Sequence, residues 1–174
     1  MTEIRTLPDV IAPGLDILFV GINPSTFSAQ VGHHFARNTN RFYRALFEGG
    51  LTPRLYAPSE DGALLDVGIG ITSIAERPTG MAQELKGGEF AAGREPLRLK
   101  VRTYRPLIVA FAGRMAATGY FGAPRPVGAQ DDMIETARVF VAPSPSAANK
   151  AHHPDADLFA WYARLREFRD QLKI

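Results

Sequence analysis

The chain contains no cysteine, which removes disulfides, cysteine-ligated zinc and thiol nucleophiles together. Lysine is almost as scarce. Of the 20 basic residues only Lys86, Lys100, Lys150 and Lys173 are lysines, and the rest are arginine. Arginine suits bidentate phosphate contacts better than lysine, although such a balance also accompanies GC-rich or heat-loving genomes. Net charge is small, +2, so a nucleic-acid contact has to come from how charge is distributed rather than from its total. No apolar run approaches the ~18 residues of a membrane span, and Met1 to Pro8 lacks the basic start and apolar core of a secretory signal. These absences point to an intracellular, cytoplasmic protein with no membrane partner. The four histidines, His33, His34, His152 and His153, have no carboxylate or histidine at ligand spacing, so no metal and no cofactor is expected.

What is present is a 174-residue chain, 45% hydrophobic, enough for one domain with a full core. It shows no repeat, no low-complexity tract and no second domain. Residues 1–12 read as an irregular lead-in. Without heptads or a self-complementary patch, a monomer is the expectation.

One stretch organises the rest: Asp16-Ile17-Leu18-Phe19-Val20-Gly21-Ile22-Asn23-Pro24-Ser25. Ile17 to Val20 are the apolar run of a buried strand. Gly21 lets the chain turn, Pro24 prevents the strand from continuing, and Asn23 can donate and accept at once. A polar turn at the carboxyl end of a strand lies where α/β sheets bind ligands. By themselves these ten residues favour the plainer reading, an ordinary turn with Asn23 bonded to its own backbone.

Residues 26–37 have no clean period and read as a long loop. Asn38 or Asn40 caps a helix through about Phe47, with Phe42, Leu46 and Phe47 on one side, and Gly49-Gly50 stops it. A short helix near Ser59 to Leu64 and an extended segment Val67 to Thr72 follow. A helix from about Ala91 to Thr103 is expected with Pro96 in its first turn. Leu107 to Phe111 is a second clear strand, Met115 to Tyr120 a short helix, and 122–132 a loop. Arg138 to Ala142 is another strand, running into Pro143-Ser144-Pro145-Ser146. The last helix begins at Asp155, with Leu158, Trp161, Tyr162, Leu165, Phe168 and Leu172 at three- and four-residue spacing. Strands separated by helices imply a parallel sheet covered on both faces. The turns at Asn23 and Ser144 then share one rim, and the second turn supplies hydroxyls and amides suited to phosphate. Its plainer reading is a Ser/Pro loop that caps the final helix.

Seven ordered blocks carry a resemblance. They are Gly21-Ile22-Asn23-Pro24, Gly32-His33-His34-Phe35, Asn40-Arg41-Phe42-Tyr43, Gly68-Ile69-Gly70-Ile71-Thr72, Glu76-Arg77-Pro78-Thr79, Tyr104-Arg105-Pro106 and Pro143 to Ser146. With the tail Arg164 to Leu172, the chain from about residue 13 onward resembles the mismatch-specific uracil/thymine DNA glycosylases, the Mug/TDG branch of the uracil-DNA glycosylase superfamily. The resemblance implies a three-layer α/β/α sandwich around a short, mostly parallel sheet. The implied activity is to flip uracil or a mismatched pyrimidine out of double-stranded DNA and hydrolyse its N-glycosidic bond.

Asn23 matches the family's water-positioning asparagine. An amide orients water but cannot take its proton at neutral pH, so a slow enzyme is expected, one that relies on a good leaving group and on the DNA phosphates. With no activated lysine in the Asn23 motif, a monofunctional enzyme is expected. Phe35 matches the aromatic that stacks on the flipped base, and backbone groups of Ile22 and Phe35 are implied to read the pyrimidine edge. Ser28 sits where relatives keep a small residue near C5, His34 at a pocket-lining position, and Ser73 at a variable polar position facing the pocket. The DNA-binding turn comprises Ser144, Ser146, Ala147, Ala148, Asn149 and Lys150. Here the chain departs from the family: Ala148 stands where a bulky wedge enters the duplex. Either Asn149 or Lys150 takes over, or well-paired bases are flipped poorly, which predicts G·U above G·T and activity on single strands. Two other readings stay open: a DNA-binding module that recognises lesions without cutting, and a small-nucleotide hydrolase on the same rim.

Overall fold

The computed structural model describes residues 6–174, so the first five residues of the expected lead-in lie outside the described residues. The frame is a sheet of five strands in the order β2-β1-β3-β5-β4. They are β1 Ile17–Gly21, β2 Ile69–Ser73, β3 Ile108–Ala112, β4 Gly128–Ile134 and β5 Ala137–Ala142. β2, β1, β3 and β5 pair in parallel, and β4 runs antiparallel beside β5. All residues of β1 and β3 are buried, as central strands covered on both faces must be.

Alternation along β1 divides the interior in two. Ile17 and Phe19 join a core with Phe42, Leu46, Leu158 and Tyr162, contributed by helices α2 Phe42–Glu48 and α5 Asp155–Leu172. Leu18 and Val20 join the other with Leu97, Val101 and Ala116, from α3 Gly87–Tyr104 and α4 Arg114–Phe121. The result is the expected three-layer α/β/α sandwich. Phe42 meets Phe19 edge-on at 5.1 Å and Phe35 at 4.2 Å, so a column of rings runs from the core to the rim where β1 ends.

Several elements differ from the sequence reading. Residues Thr26–Val31 form a helix, α1, inside the expected loop. It is set by its ends: Ser25 Oγ accepts the Ser28 amide at 3.0 Å, and Gly32 closes it at φ +80°. Six residues are too few to show a period. Gly21 belongs to β1 rather than starting a turn. In α2, Phe42 and Leu46 are buried as expected, but Phe47 is exposed.

Helix α3 begins four residues early, because Glu89 accepts the Lys86 amide at 2.8 Å. Pro96 therefore lies in its interior, on the exposed side. Residues 128–134, expected to be loop, form β4. As an edge strand it alternates buried Gly128 and Gln130 with exposed Ala129 and Asp131, and has no apolar run to betray it. The lead-in is not wholly irregular, since Val10 and Ile71 exchange two backbone hydrogen bonds at 2.9 and 2.7 Å across the outer edge of β2, protecting part of an otherwise open edge.

Candidate active site on the carboxyl rim of the sheet

Beyond β1 the chain stays zipped to the segment after β2. Ile74 and Ala75 donate to Gly21 and Ile22, the Thr79 amide to Pro24 O at 3.2 Å, and Thr26 back to Thr79 O at 2.9 Å. Within this ladder Asn23 Nδ2 donates to Arg77 O and to Thr79 Oγ1, both at 2.8 Å. The Thr79 hydroxyl gives its single proton to Met81 O at 2.8 Å, so it can only accept from Asn23. A carbonyl also only accepts. Both partners therefore demand the amide nitrogen, and the Asn23 orientation is fixed. Its Oδ1 has no hydrogen-bond partner among the described residues.

Arg77 is itself clamped. Its guanidinium meets the Glu89 carboxylate at 2.6 and 3.1 Å and Glu84 O at 3.1 Å. The hydrogen bond from Arg77, helped by the Lys86 amide, pulls the Glu89 carboxyl down to about 2. Gly21 lies between two of the expected pocket residues: a Cβ there would stand 3.7 Å from Phe35 Cζ and 3.9 Å from Ser73 Oγ. Its bare backbone keeps that space clear.

Phe35 sits at φ +52°, in the left-handed region, a conformation that neighbours must enforce. They do so through His34 and Ala36. The His34 amide donates to Asp61 Oδ2 at 2.9 Å, its carbonyl accepts from Tyr43 Oη at 2.7 Å, and Nε2 contacts Pro8 O at 2.8 Å. Since a carbonyl only accepts, Nε2 carries the proton. Burial lowers the His34 pKa, which keeps the ring neutral. The Ala36 amide and Ser25 Oγ both donate to Ser28 Oγ at 3.0 Å. Ser28 and His34 were expected to line the base pocket; each is buried, with the Ser28 hydroxyl and His34 Nε2 bonded to neighbouring protein groups. They support the Phe35 loop from beneath. Half-buried Phe35 and Ile22 remain at the surface of the rim.

Next to this loop lies a cavity of about 190 Å³, lined by Pro24, Ser73, Ala75 and Glu76 on the rim side and by Asp9 and Lys100 on the other. Ser73 alone among the expected base-pocket residues lines it. Lys100 Nζ is 2.6 Å from Asp9 Oδ2, and Thr72 Oγ1 donates to Asp9 Oδ1 at 2.8 Å. Among the described residues no group of three metal-ligating side chains comes together.

The second turn leaves β5 two strands away from β1. Gly113, at φ +122°, lets it approach: a Cβ there would stand 3.1 Å from Ser144 Cβ. Ser144 Oγ accepts the Ser146 amide at 3.3 Å, and Ser146 Oγ accepts the Ala148 amide at 3.2 Å, starting a 3₁₀ turn over Ala147–Asn149. Asn149 Nδ2 folds back onto Ser144 O at 3.1 Å. That contact turns the Asn149 side chain back into the turn, away from the tip where a wedge was expected. The exposed tip is Ala147-Ala148, with exposed Lys150 behind it, 4.0 Å from Asp155. Exposed Arg114 opens α4 directly after β3, on the rim between the two turns.

Three residues inside quoted motifs had been given no role by the sequence: Arg77 and Thr79, which orient Asn23, and Arg41, which holds the second turn. Arg41 is 3% exposed, and its guanidinium donates to Ser146 O at 3.2 Å, His153 O at 2.7 Å and Asp155 Oδ1 at 3.3 Å. The available signal was only an arginine inside Asn40-Arg41-Phe42-Tyr43; its burial against a turn more than 100 residues away was not in the sequence.

The model of the family described as the Uracil DNA glycosylase superfamily matches residues 8–166. Among solved structures, the chain is similar to the solution NMR structure of a Methanosarcina acetivorans protein provisionally named a uracil DNA glycosylase. That match has a TM-score of 0.60 at 20% identity and covers 98% of this chain and 99% of the other. At that identity it speaks for the fold.

Proposed function

The chain belongs to the uracil DNA glycosylase superfamily, and from that premise we propose that it is a monofunctional base-excision glycosylase of the mismatch-directed Mug/TDG type. Its substrate is double-stranded DNA in which uracil stands opposite guanine, with thymine opposite guanine a poorer one. The product is an abasic site.

The observation that carries this reading is the orientation of Asn23. With Nδ2 engaged by Arg77 O and Thr79 Oγ1, Oδ1 is free to accept a hydrogen bond from water and aim that water at the sugar carbon of a flipped nucleotide. Breaking a base–sugar bond builds positive charge on the deoxyribose. The amide takes no proton at neutral pH, so the rate depends on the departing base and on phosphate charge held close to the sugar. A mispaired uracil also costs less to extrude than a well-paired base, which favours it at the flipping step.

Phe35, backed by Phe42 at 4.2 Å, offers a ring on which a flipped pyrimidine can stack. Backbone groups of Ile22 and Phe35 and the Ser73 hydroxyl, which flanks Gly21 opposite the Phe35 ring, are the groups that read the base edge in this proposal. Arg114, Lys150 and the Ser144–Ala148 turn are the DNA-contacting groups in this reading. No lysine lies in the Asn23 turn, and Lys100, at the neighbouring cavity, is engaged by Asp9 and Thr72; both facts favour hydrolysis without a Schiff base. The small tip Ala147-Ala148 supports a preference for weak pairs.

The test is an alkali-cleavage assay on labelled duplexes carrying G·U, A·U, G·T and G·C, with single-stranded uracil and the Asn23→Ala variant alongside. Cleavage at G·U that falls sharply in the variant is the expected result. Binding to these duplexes without cleavage of any uracil substrate would replace the enzyme by a lesion-binding module. Hydrolysis of free deoxyuridine without DNA cleavage would point to a nucleotide hydrolase.

A further inference from the structure

Among the described residues Arg41 is the one buried arginine or lysine, and five acceptors gather around its side chain. Its backbone amide donates to Pro145 O at 3.0 Å. Nε reaches the same oxygen at 3.4 Å, and the terminal nitrogens reach the carbonyls of Ser144 at 3.5 Å, Ser146 at 3.2 Å and His153 at 2.7 Å, and Asp155 Oδ1 at 3.3 Å. Three consecutive carbonyls of the second turn therefore converge on one guanidinium, and the start of α5 is bound to the same group. Ordinary helix capping needs none of this, since α2 already has its first free amide, that of Phe42, bonded to Asn40 Oδ1 at 2.9 Å.

The position of Arg41 in the chain gives the cluster its meaning. The next residue, Phe42, stacks on Phe35, and Tyr43 holds His34 O at 2.7 Å. One tripeptide, Arg41-Phe42-Tyr43, thus grips the second turn with its first side chain and the Phe35 loop with the other two. These two segments have no other such shared anchor among the described residues. A lysine at 41 keeps the charge, but a single ammonium on a flexible stem cannot serve acceptors spread around a planar fork.

We propose that Arg41 is a positioning residue that locks the base-stacking loop and the DNA-contacting turn into one rigid unit, so that entry of the turn into a duplex and capture of the extruded base occur together. This rests on the glycosylase reading for its functional half only; the mechanical coupling stands on the contacts.

The experiment has two arms on the full chain, wild type against Arg41→Lys. The first is amide hydrogen exchange without DNA. The proposal expects at least tenfold faster exchange in both 143–153 and 33–36, with β1 and β3 protected as in the wild type. Acceleration confined to one segment, or spread equally over the whole sheet, overturns the coupling. The second arm compares cleavage of uracil in a G·U duplex and in a single strand, where no turn has to enter a helix. The duplex rate is expected to fall tenfold or more and the single-strand rate by less than threefold; equal losses reduce Arg41 to a structural residue. A wild type inactive on both substrates removes the glycosylase reading and leaves the exchange arm to decide the coupling. Should Arg41→Lys fail to fold, Asp155→Asn, which weakens one acceptor at a partly exposed position, is expected to give the same two-segment pattern at smaller amplitude.

Discussion

The two turns at the carboxyl rim are built on opposite plans. The Asn23 turn is held by backbone: four main-chain hydrogen bonds tie Gly21, Ile22, Pro24 and Thr26 to the chain after β2, and the Asn23 amide is fixed from two sides. The Ser144–Lys150 turn is held mainly by side chains, its own serines, Asn149 and the guanidinium of Arg41. In the proposed reading Asn23 aims a water, a task that tolerates little displacement, because small misplacements of reacting groups cost large factors in rate. The second turn, which in the same reading meets a duplex of variable sequence, can be carried on a side-chain anchor that adjusts. The pair of buried Arg41 with half-buried Asp155 fits this division. Such a pair is weak evidence for stability, but removing one partner leaves an uncompensated charge.

The sharpest break in this comparison comes from the first turn. Asn23→Ala is expected to lower single-turnover cleavage at G·U by about 10²–10³-fold, the range for losing one oriented polar group at a reacting centre, with affinity for an abasic duplex kept. Loss of affinity together with rate would show that Asn23 holds the turn rather than the water. Thr79→Val comes next. It keeps the shape, frees the Asn23 amide to rotate, and is expected to reduce the chemical step by about tenfold, the worth of one hydrogen bond near 1.4 kcal/mol, with KM unchanged. Thr79→Ser restores the hydroxyl and most of the rate. A valine variant as fast as wild type would mean that Arg77 O suffices.

The second turn is expected to respond more gently. Ala148→Leu adds a wedge at the exposed tip and is expected to raise G·T cleavage a few-fold while leaving single-stranded uracil unchanged. Parallel increases on both substrates would rule out a duplex-specific role for the tip.

The smallest effect concerns the clamp behind Asn23. Because Arg77 and the Lys86 amide depress the Glu89 carboxyl to about 2, below its ordinary value of about 4.3, the folded state holds fewer protons there than the unfolded chain. The stabilisation is present above the unfolded pKa and is lost as pH falls through the window from about 4 to 2. Glu89→Gln is therefore expected to be slightly less stable than wild type at pH 7, with the gap in thermal midpoint closing by pH 2–3. A gap of constant size across that range would assign the effect to packing.

Legibility in the sequence followed the same physical lines. β1, β3, β5 and α5 were visible because burial on a strand or along one helical stripe forces apolar residues into a run or a period, as in Leu107 to Phe111 or Leu158, Tyr162 and Leu165. Elements set by their ends or by a partner were hidden. Helix α1 depends on Ser25 and Gly32, and β4 on pairing with β5 through a turn in which Glu135 takes φ +51°. Gly21 and Asn23 could be singled out as residues, but whether the amide faced its own backbone or a neighbouring segment could not be read from ten positions. Ser28 and His34 were legible as positions near a site and not as buried supports, since a hydroxyl or an imidazole serves either role.

The sequence by itself determined the class of the sheet, the two polar turns at strand ends, the absence of thiol chemistry and the blocks that mark the family. Each of these follows from local chain chemistry or from residue identity. Only the tertiary structure decided which end of the Asn23 amide is free, that Asn149 is folded back from the tip, and that Arg41 joins the Phe35 loop to the Ser144 turn. The Asn23 and Arg41 outcomes depend on hydrogen bonds between residues 54 to 114 positions apart, whose donors and acceptors meet only once the sheet has brought its strand ends to a common rim, whereas the Asn149 amide returns to a carbonyl five residues back in a turn whose shape Arg41 holds.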